Sequence, residues 1–348
     1  MKIGILGFAH GHVNSYCRKW KENPGWGVEP VAGWDHDAER AKKGAAQHGM
    51  EVFESPEALL DKGGVEAVVV SAETSLHAEL VEKAAAAGKA IVCQKPMALE
   101  LEEADRMVAA VDKSGVPFTM AWQMRVDRQN LAMREMVESG RLGKLFMVRR
   151  RHGLSTQKMK NFESSWHVAP ELNRDIWADD AAHPIDFIYW LLGRPRSVTA
   201  ELSTILNPKV PNDNGVALFR YDDGPLAEVS CSFVCLAHEP TTEIIAEKGV
   251  LVQNYGDGPS SNCERPPEGI GLKWFDAASS SWEVLDVPGY EGQRNRIEGL
   301  AEPLAGFLNG RRGPIATAEE GRDTLRMMLG CYQSSREGKR VPLEFSGN

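Results

Sequence analysis

The chain has 348 residues, beyond the size at which a single hydrophobic core stops growing, so two domains are expected. An apolar content of 42% fits a globular protein. A formal net charge of -9 weighs against nucleic acid and anionic membrane as partners, because both select clustered Lys and Arg. The only dense basic run, Arg149, Arg150 and Arg151 in LFMVRRRHG, alternates with apolar flanks and predicts a strand with one solvated face. No window reaches the roughly 20 apolar residues of a membrane span, and KIGIL lacks the flanks of a secretory signal. Cys17, Cys93, Cys231, Cys235, Cys263 and Cys331 form no C-x-x-C pair. Cys231 and Cys235 would share a strand face, which suits a metal only if histidines join them. Reduced core thiols in a cytoplasmic protein are expected, with no metal.

In chain order, KIGIL, VEPVAGW, EAVVVSA, KAIVCQ and PFTMAW predict strands, and helical periodicity recurs near 38–48, 76–87 and 100–114. Strand and helix alternating in this way predict right-handed crossovers and a doubly wound, Rossmann-type parallel sheet over residues 1–120, the α/β part of the molecule. Past GVPFTMAW the pattern changes. A helix near 127–139 ends at Gly140, and longer alternating runs follow: KLFMVRRRHG, SVTAELSTIL, GVALFRYDDG, LAEVSCSFV and TEIIAEKGVLV. They predict an α+β domain, 121–348, on a large, mostly antiparallel open sheet. DAASSSW at 276–282 reads as a polar hairpin or loop, and there is no internal repeat. Helices near 295–309 and 317–337 close the chain, with 295–337 expected to pack back on the first domain.

The first turn, GFAHGH, departs from the Gly-x-Gly-x-x-Gly of a dinucleotide site. Gly7 keeps the tight turn, and Ala9 is small enough for backbone to approach a phosphate. His12 stands where the third glycine would let helix pack on strand, and Gly11 beside it offers some room. Alone, the turn leaves cofactor binding open. Asp35, at the end of the second strand, is suited to accept hydrogen bonds from an adenosine ribose and to repel a 2'-phosphate, favouring NAD over NADP. Asp35 or Asp37 could instead cap the helix that begins AERAKKGAAQ; with two acids, both roles can be filled.

Several further segments carry a family resemblance. SAETSLH at 71–77 is similar to the A-T-P-x-x-x-H segment of the Gfo/Idh/MocA oxidoreductases, and Gln94-Lys95-Pro96 to their E-K-P tripeptide. NRDIWADDAAHPIDFIYWLLG is similar to their G-G-G-x-L-x-D-x-G-x-H-x-x-D run, and the ending FLNGRRGPIATAEEGRDTL with CYQSSREGKRVPL resembles their last helices. The resemblance spans essentially the whole chain. It implies an NAD(P)-dependent enzyme that moves hydride between a secondary hydroxyl of a sugar, polyol or related compound and the nicotinamide. By matching position, Lys95, Asp179 and His183 are implied as catalytic. Gly7, Phe8, Ala9, His10, Gly11, His12, Asp35, Ala72, Glu73, Thr74, His77, Gln94, Lys95 and Pro96 are implied to border the cofactor.

The residue types suit that chemistry. Histidine can take the hydroxyl proton, and an ammonium can stabilise the developing alkoxide. On a helix Asp179 and His183 are i and i+4, so the carboxylate can orient the imidazole, and Asp186 shares the face. Lys95 could also be an exposed lysine, His183 a satisfied core histidine, and Asp179 and Asp180 helix caps. Gln123 and Arg125 follow PFTMAW, the last strand of that sheet, where ligands enter such sheets. Trp166, His167 and Asp175 precede the catalytic helix, and an aromatic there could stack on a sugar face.

Four departures from the family pattern bear on substrate choice. Gln94 replaces a glutamate, Glu73 a proline, Asn173-Arg174-Asp175 three glycines, and Ala181 the glycine before the histidine. Besides a net dehydrogenase, two readings stand: an NAD-retaining glycoside hydrolase or epimerase-like enzyme using transient oxidation, and a silent NAD- and sugar-binding regulator. By analogy, a homodimer or homotetramer is expected through the open sheet face offered by SVTAELSTIL and LAEVSCSFV.

Overall fold

The computed structural model describes residues 1–237, 239–261, 265–266 and 268–345. Its packing divides into two compact units. Met1–Gln123, Glu171–Asn173 and Ile297–Leu325 make up the first; Met124–Pro170, Arg174–Arg296 and the described residues from Arg326 onward make up the second.

In the first unit, β1 (Lys2–Leu6), β2 (Glu29–Trp34), β3 (Glu51–Val52), β4 (Ala67–Val70), β5 (Ala90–Cys93) and β6 (Phe118–Met120) form a parallel sheet. The strand order is β3-β2-β1-β4-β5-β6. The helices α1 (His12–Glu22), α2 (Ala38–His48), α3 (Pro56–Lys62), α4 (His77–Ala86) and α5 (Leu101–Ser114) connect them. Every residue of β4 (AVVV) and β5 (AIVC) is buried, as expected of parallel strands covered on both faces. The chain reverses direction of winding between β1 and β4, the place where such sheets bind ligands. Neither β3 nor α3 is among the expected elements. A two-residue strand is too short to show a period. The start of α3 is written in Ser55-Pro56 all the same: the Ser55 hydroxyl accepts from Ala58 N at 3.1 Å, and Pro56 opens the helix.

The second unit begins with α6 (Arg128–Glu138) and β7 (Leu145–Gly153), followed by α7 (Pro170–Asn173), which runs into the first unit, and α8 (Ala182–Leu192). Next come β8 (Ser197–Ser203), β9 (Asn214–Arg220), β10 (Leu226–Ser232), β11 (Pro240–Ala246), β12 (Gly249–Asn254), α9 (Gly258–Ser261), β13 (Leu272–Asp276) and β14 (Ser281–Val284). With β15 (Val341–Pro342) they form a nine-stranded sheet ordered β14-β13-β12-β11-β7-β10-β9-β8-β15. All neighbours are antiparallel except β7 and β10. DAASSSW is the hairpin between β13 and β14.

Along β7 the arginine run splits by parity. Arg149 lies on the outward face between Glu243 (2.9 Å) and Glu228 (3.7 Å), whereas Arg150 is buried on the inward face with Val148 and His152. The solvated face is as expected; the buried arginine is not.

Near the C-terminus, the helix expected over 295–309 is two helices, α10 (Gln293–Glu298) and α11 (Ala301–Leu308). Pro303 cannot donate to the Gly299 carbonyl and its ring would collide with it, so one continuous helix is broken there. Within the first unit α11 packs on α1, and Trp20 Nε1 donates to Ala301 O at 2.8 Å. The last helix, α12 (Ala318–Glu337), contributes its residues up to Leu325 to the first unit and the rest to the second. A single cut at residue 120 therefore does not describe the chain, because both units draw on separate segments. Cys17, Cys93, Cys231 and Cys331 are buried free thiols and Cys235 is half-buried; Cys263 lies outside the described residues. Among the described residues no helix is long and apolar enough to cross a membrane.

The turn between β11 and β12 has no room for a side chain. Gly249 has φ 149°, and a Cβ there would stand 1.8 Å from the Phe275 carbonyl of β13. Gly249→Ala should therefore lose about 1–3 kcal/mol of stability, read as a drop in the thermal midpoint.

Candidate functional site

In the first unit the site starts from a backbone constraint. Gly7 has φ 93°, and a Cβ on it would stand 2.3 Å from Ala72 Cα, so the turn after β1 lies directly against the end of β4. Three hydrogen bonds hold it there: Gly7 N to Trp34 O at 2.7 Å, Ser71 Oγ to Gly7 O at 2.5 Å, and His10 N to Ser71 O at 2.9 Å. The helix that follows, α1, has Gly11 at its N-cap with no side-chain cap, and a Cβ at Gly11 would meet nothing within 4 Å. A helix start without a side-chain cap, directly after a tight glycine turn, is suited to a pyrophosphate, so the turn is compatible with a dinucleotide despite its altered glycines.

His12 does not obstruct this. It is half-buried, and the buried face of α1 is Val13, Tyr16, Cys17 and Trp20. The room expected from Gly11 is accordingly not needed for helix packing; Gly11 faces open space. The His10 ring is buried and meets His12 edge-on at 4.3 Å between centroids. The Phe8 side chain is turned away, wedged between β2 and α2, where a Cβ at Gly33 or Gly44 would collide with it. Ala9 follows it in the same turn.

Asp35 departs from expectation. Its Oδ2 accepts from Phe8 N (2.7 Å) and Arg40 Nε (2.7 Å), and its Oδ1 from Asp37 N (2.9 Å) and Arg40 Nη2 (2.8 Å). A carboxylate offers about four acceptor positions, so no free lone pair remains for ribose hydroxyls. The capping role belongs to Asp37, whose Oδ1 accepts from Glu39 N and Arg40 N. Arg40 reaches on to Glu73 Oε1 at 2.7 Å, joining the loop after β4 to the end of β2.

The loops after β4 and β5 are tied together by His77. Its Nδ1 lies 3.0 Å from Pro96 O and its Nε2 3.2 Å from Ala72 O; burial lowers its pKa. Gln94 Nε2 donates to Tyr16 OH at 3.1 Å, and Gln94 Oε1 is buried with no protein hydrogen bond. Lys95 is buried, and the Lys95–Pro96 peptide bond is cis. Thr74 Oγ1 donates to Asn173 Oδ1, so the first of the three replaced glycines is anchored within this unit. Gln123 ends the unit, buried, with no protein partner for its Oε1.

In the second unit Arg125 is locked to Asp186 by two parallel bonds of 2.9 and 2.8 Å, both side chains being buried. Asp175 accepts from Ala178 N (3.0 Å), Asn212 Nδ2 (2.7 Å) and the Tyr332 hydroxyl; burial raises its pKa. Trp166 and His167 stack at 4.1 Å, with Phe162 continuing the stack 5.9 Å from His167. The residues Trp177–Ala181 form a π-helical turn before α8, so Asp179 and His183 are not joined by the regular α-helix from which their i, i+4 alignment is expected. Both are buried. Asp180 Oδ1 lies 3.8 Å from His183 Nε2.

Asp180 leads to residues the sequence did not single out. Its Oδ2 is 3.5 Å from His152 Nε2, and His152 Nδ1 is 2.6 Å from Asp257 Oδ2. Behind Asp257 stand Arg150 (3.6 Å) and Arg296 (3.7 Å), both buried. Burial alone would lower the His152 pKa, but Asp257 and Asp180 outweigh it and raise the value to about 9. Against its own burial, Asp257 is held well below the usual carboxylate range by His152 first and by Arg150 and Arg296 behind it. The one sequence signal for His152 is its parity with Val148 and Arg150 in β7. Among the described residues no group of three or more His, Cys, Asp or Glu is arranged to hold a metal ion.

Residues 1–122 match the family model described as "Oxidoreductase family, NAD-binding Rossmann fold", and residues 130–252 the "GFO/IDH/MocA C-terminal domain". A D-apiose dehydrogenase of Paraburkholderia graminis is 27% identical over 98% of this chain and 88% of its own. Inositol 2-dehydrogenase 3 of Saccharopolyspora erythraea is 28% identical over 86% of this chain and 89% of its own. Among solved structures, an oxidoreductase from Agrobacterium radiobacter in complex with NAD+, L-tartaric acid and magnesium superposes with a TM-score of 0.82. It is 21% identical and the match covers 98% of both chains.

Two outcomes test the buried charges. Asp186→Ala takes from buried Arg125 its bidentate partner and should cost about 3–5 kcal/mol in denaturant unfolding. His152 binds its proton more tightly folded than unfolded, so its stabilising effect is complete below pH 6.5 and is lost as the pH rises towards about 9. Across that window the stability of the native chain should fall relative to His152→Gln by on the order of 3 kcal/mol.

Proposed function

The chain belongs to the GFO/IDH/MocA oxidoreductase family, and from that premise we propose a nicotinamide-dependent dehydrogenase of a secondary hydroxyl on a sugar or polyol, with NAD preferred. The observation that carries this reading is the turn after β1. Gly7 pressed onto Ala72 and a start of α1 without a side-chain cap support a phosphate site at the switch point of the sheet.

When bound, the nicotinamide ring supplies the hydride acceptor. The substrate C–H bond breaks with its electron pair and the O–H bond loses its proton, leaving a carbonyl. His183 takes that proton, and Asp180 beside it stabilises the imidazolium. Lys95 steadies the oxygen as negative charge grows on it. Asp179, buried on the turn that leads into α8, orients the substrate hydroxyl. His152 and Asp257 hold Asp180 in place, as the second of two linked histidine–carboxylate contacts.

The outward face of the large sheet carries exposed Val216, Leu218, Trp282 and Val284, which suit association between copies of this chain in the cytoplasm as a dimer or tetramer.

Purified, cofactor-stripped protein should bind NADH saturably and reduce NAD with one or more members of a sugar and polyol panel. Lys95→Ala should lower turnover by at least about a hundredfold. Net accumulation of NADH is expected; turnover without it would favour transient oxidation, and binding without turnover would favour a silent sensor. Light scattering should give a mass above the monomer, reduced by Leu218→Glu.

A further inference from the structure

We infer that Glu73 sets the preference between the two nicotinamide dinucleotides, acting through Arg40; this rests on the cofactor reading above. Asp35, the residue placed to make that choice, is paired one-to-one with Arg40. All its acceptor positions are taken by Phe8 N, Asp37 N and two nitrogens of Arg40. A carboxylate neutralised by a bidentate guanidinium offers little repulsion to a 2'-phosphate. The pair even displays a means of binding one, because the Nη1 end of Arg40 makes no hydrogen bond to the protein and the side chain is 27% exposed. Arg–phosphate recognition uses such a free guanidinium edge.

Glu73 changes the balance. Its Oε1 accepts from Arg40 Nη2 at 2.7 Å, and its Oε2 lies 3.5 Å from His36 Nδ1. The group of Asp35, Glu73 and Arg40 then carries one net negative charge when His36 is neutral. Asp35 is 0% exposed and Glu73 4%, so both charges sit where solvent screens them least. A dianionic 2'-phosphate brought to Arg40 meets that surplus charge, whereas ribose hydroxyls do not. Asp37 adds a carboxylate at the α2 cap, but it is common to every variant below.

The backbone has no need of a glutamate here. Glu73 has φ -62° and ψ 149°, a conformation proline adopts freely, and its N–H makes no hydrogen bond within the protein. The side chain is the whole of what Glu73 adds where relatives in the family resemblance carry proline.

The test titrates NADH and NADPH, by energy transfer from tryptophan, into the native chain, Glu73→Gln, Glu73→Pro and the double variant Glu73→Gln/Arg40→Gln. The native chain should bind NADH more tightly. Each single variant should tighten NADPH by about tenfold or more while NADH stays within about threefold, and the double variant should lose the gain. A merely structural defect would weaken both cofactors together and leave their ratio where it was. An unchanged ratio in both single variants, or a native chain that prefers NADPH, overturns the role of Glu73. A native chain that binds neither overturns the cofactor reading itself, before any variant is compared.

Discussion

The approach of Gly7 to Ala72 is the contact on which the first unit's chemistry rests. With Ala72 Cα only 2.3 Å from where a Cβ on Gly7 would stand, the β1 turn, the end of β4 and the end of β2 are fixed against one another. Ser71 bonds the turn from one side and Trp34 from the other. Only with these three segments in register can Arg40, on α2, reach both Asp35 and Glu73, which stand on different loops. The arrangement of Asp35, Arg40 and Glu73 thus depends on a steric fact about one glycine.

The second unit answers a different problem, that of keeping charge inside a sheet-and-helix core. Arg150, Arg296, Asp257 and His152 are all buried, an arrangement that is costly unless each charge faces its opposite. They do so through contacts of 2.6 to 3.7 Å centred on Asp257. Thr242 and Gln253 accept from the remaining Arg150 Nη1 hydrogens at 2.6 and 2.9 Å. Such a cluster fixes geometry more than it adds stability, and what it fixes is the ring of His152, hence Asp180, hence the surroundings of His183. The raised proton affinity of His152 follows from that placement.

How much of this was legible in the sequence depends on the range of the interaction. All the parallel strands but β3 were plain, as β4 and β5 show with runs of apolar residues and no polar face, and α2 announced itself through its periodicity and an acid at its start. The matched motifs singled out Lys95, Asp179 and His183, and all three are buried. What escaped were pairings between residues far apart in the chain, such as Arg40 with Glu73 and His152 with Asp257, which no local pattern encodes. The π-helical turn escaped for another reason: reading Asp179 and His183 as one face presumes 3.6 residues per turn, and Trp177–Ala181 does not keep that period.

The three residues that replace the family's glycine run show how side chains can be added without remaking a site. Asn173 accepts a hydrogen bond from Thr74 in the first unit. Asp175 caps the start of the turn at Ala178 and is held by Asn212 and Tyr332. Arg174 has φ 72° and ψ -77°, a backbone conformation natural to glycine and strained for arginine, and its guanidinium lies 5.3 Å over the Tyr332 ring. The chain therefore keeps a glycine-like course here and tethers the new side chains to structural partners. Asn173 and Asp175, the two acceptors, are turned to the protein and not left as free ligand groups. Gln94 and Gln123, by contrast, each keep a buried carbonyl oxygen without a protein donor.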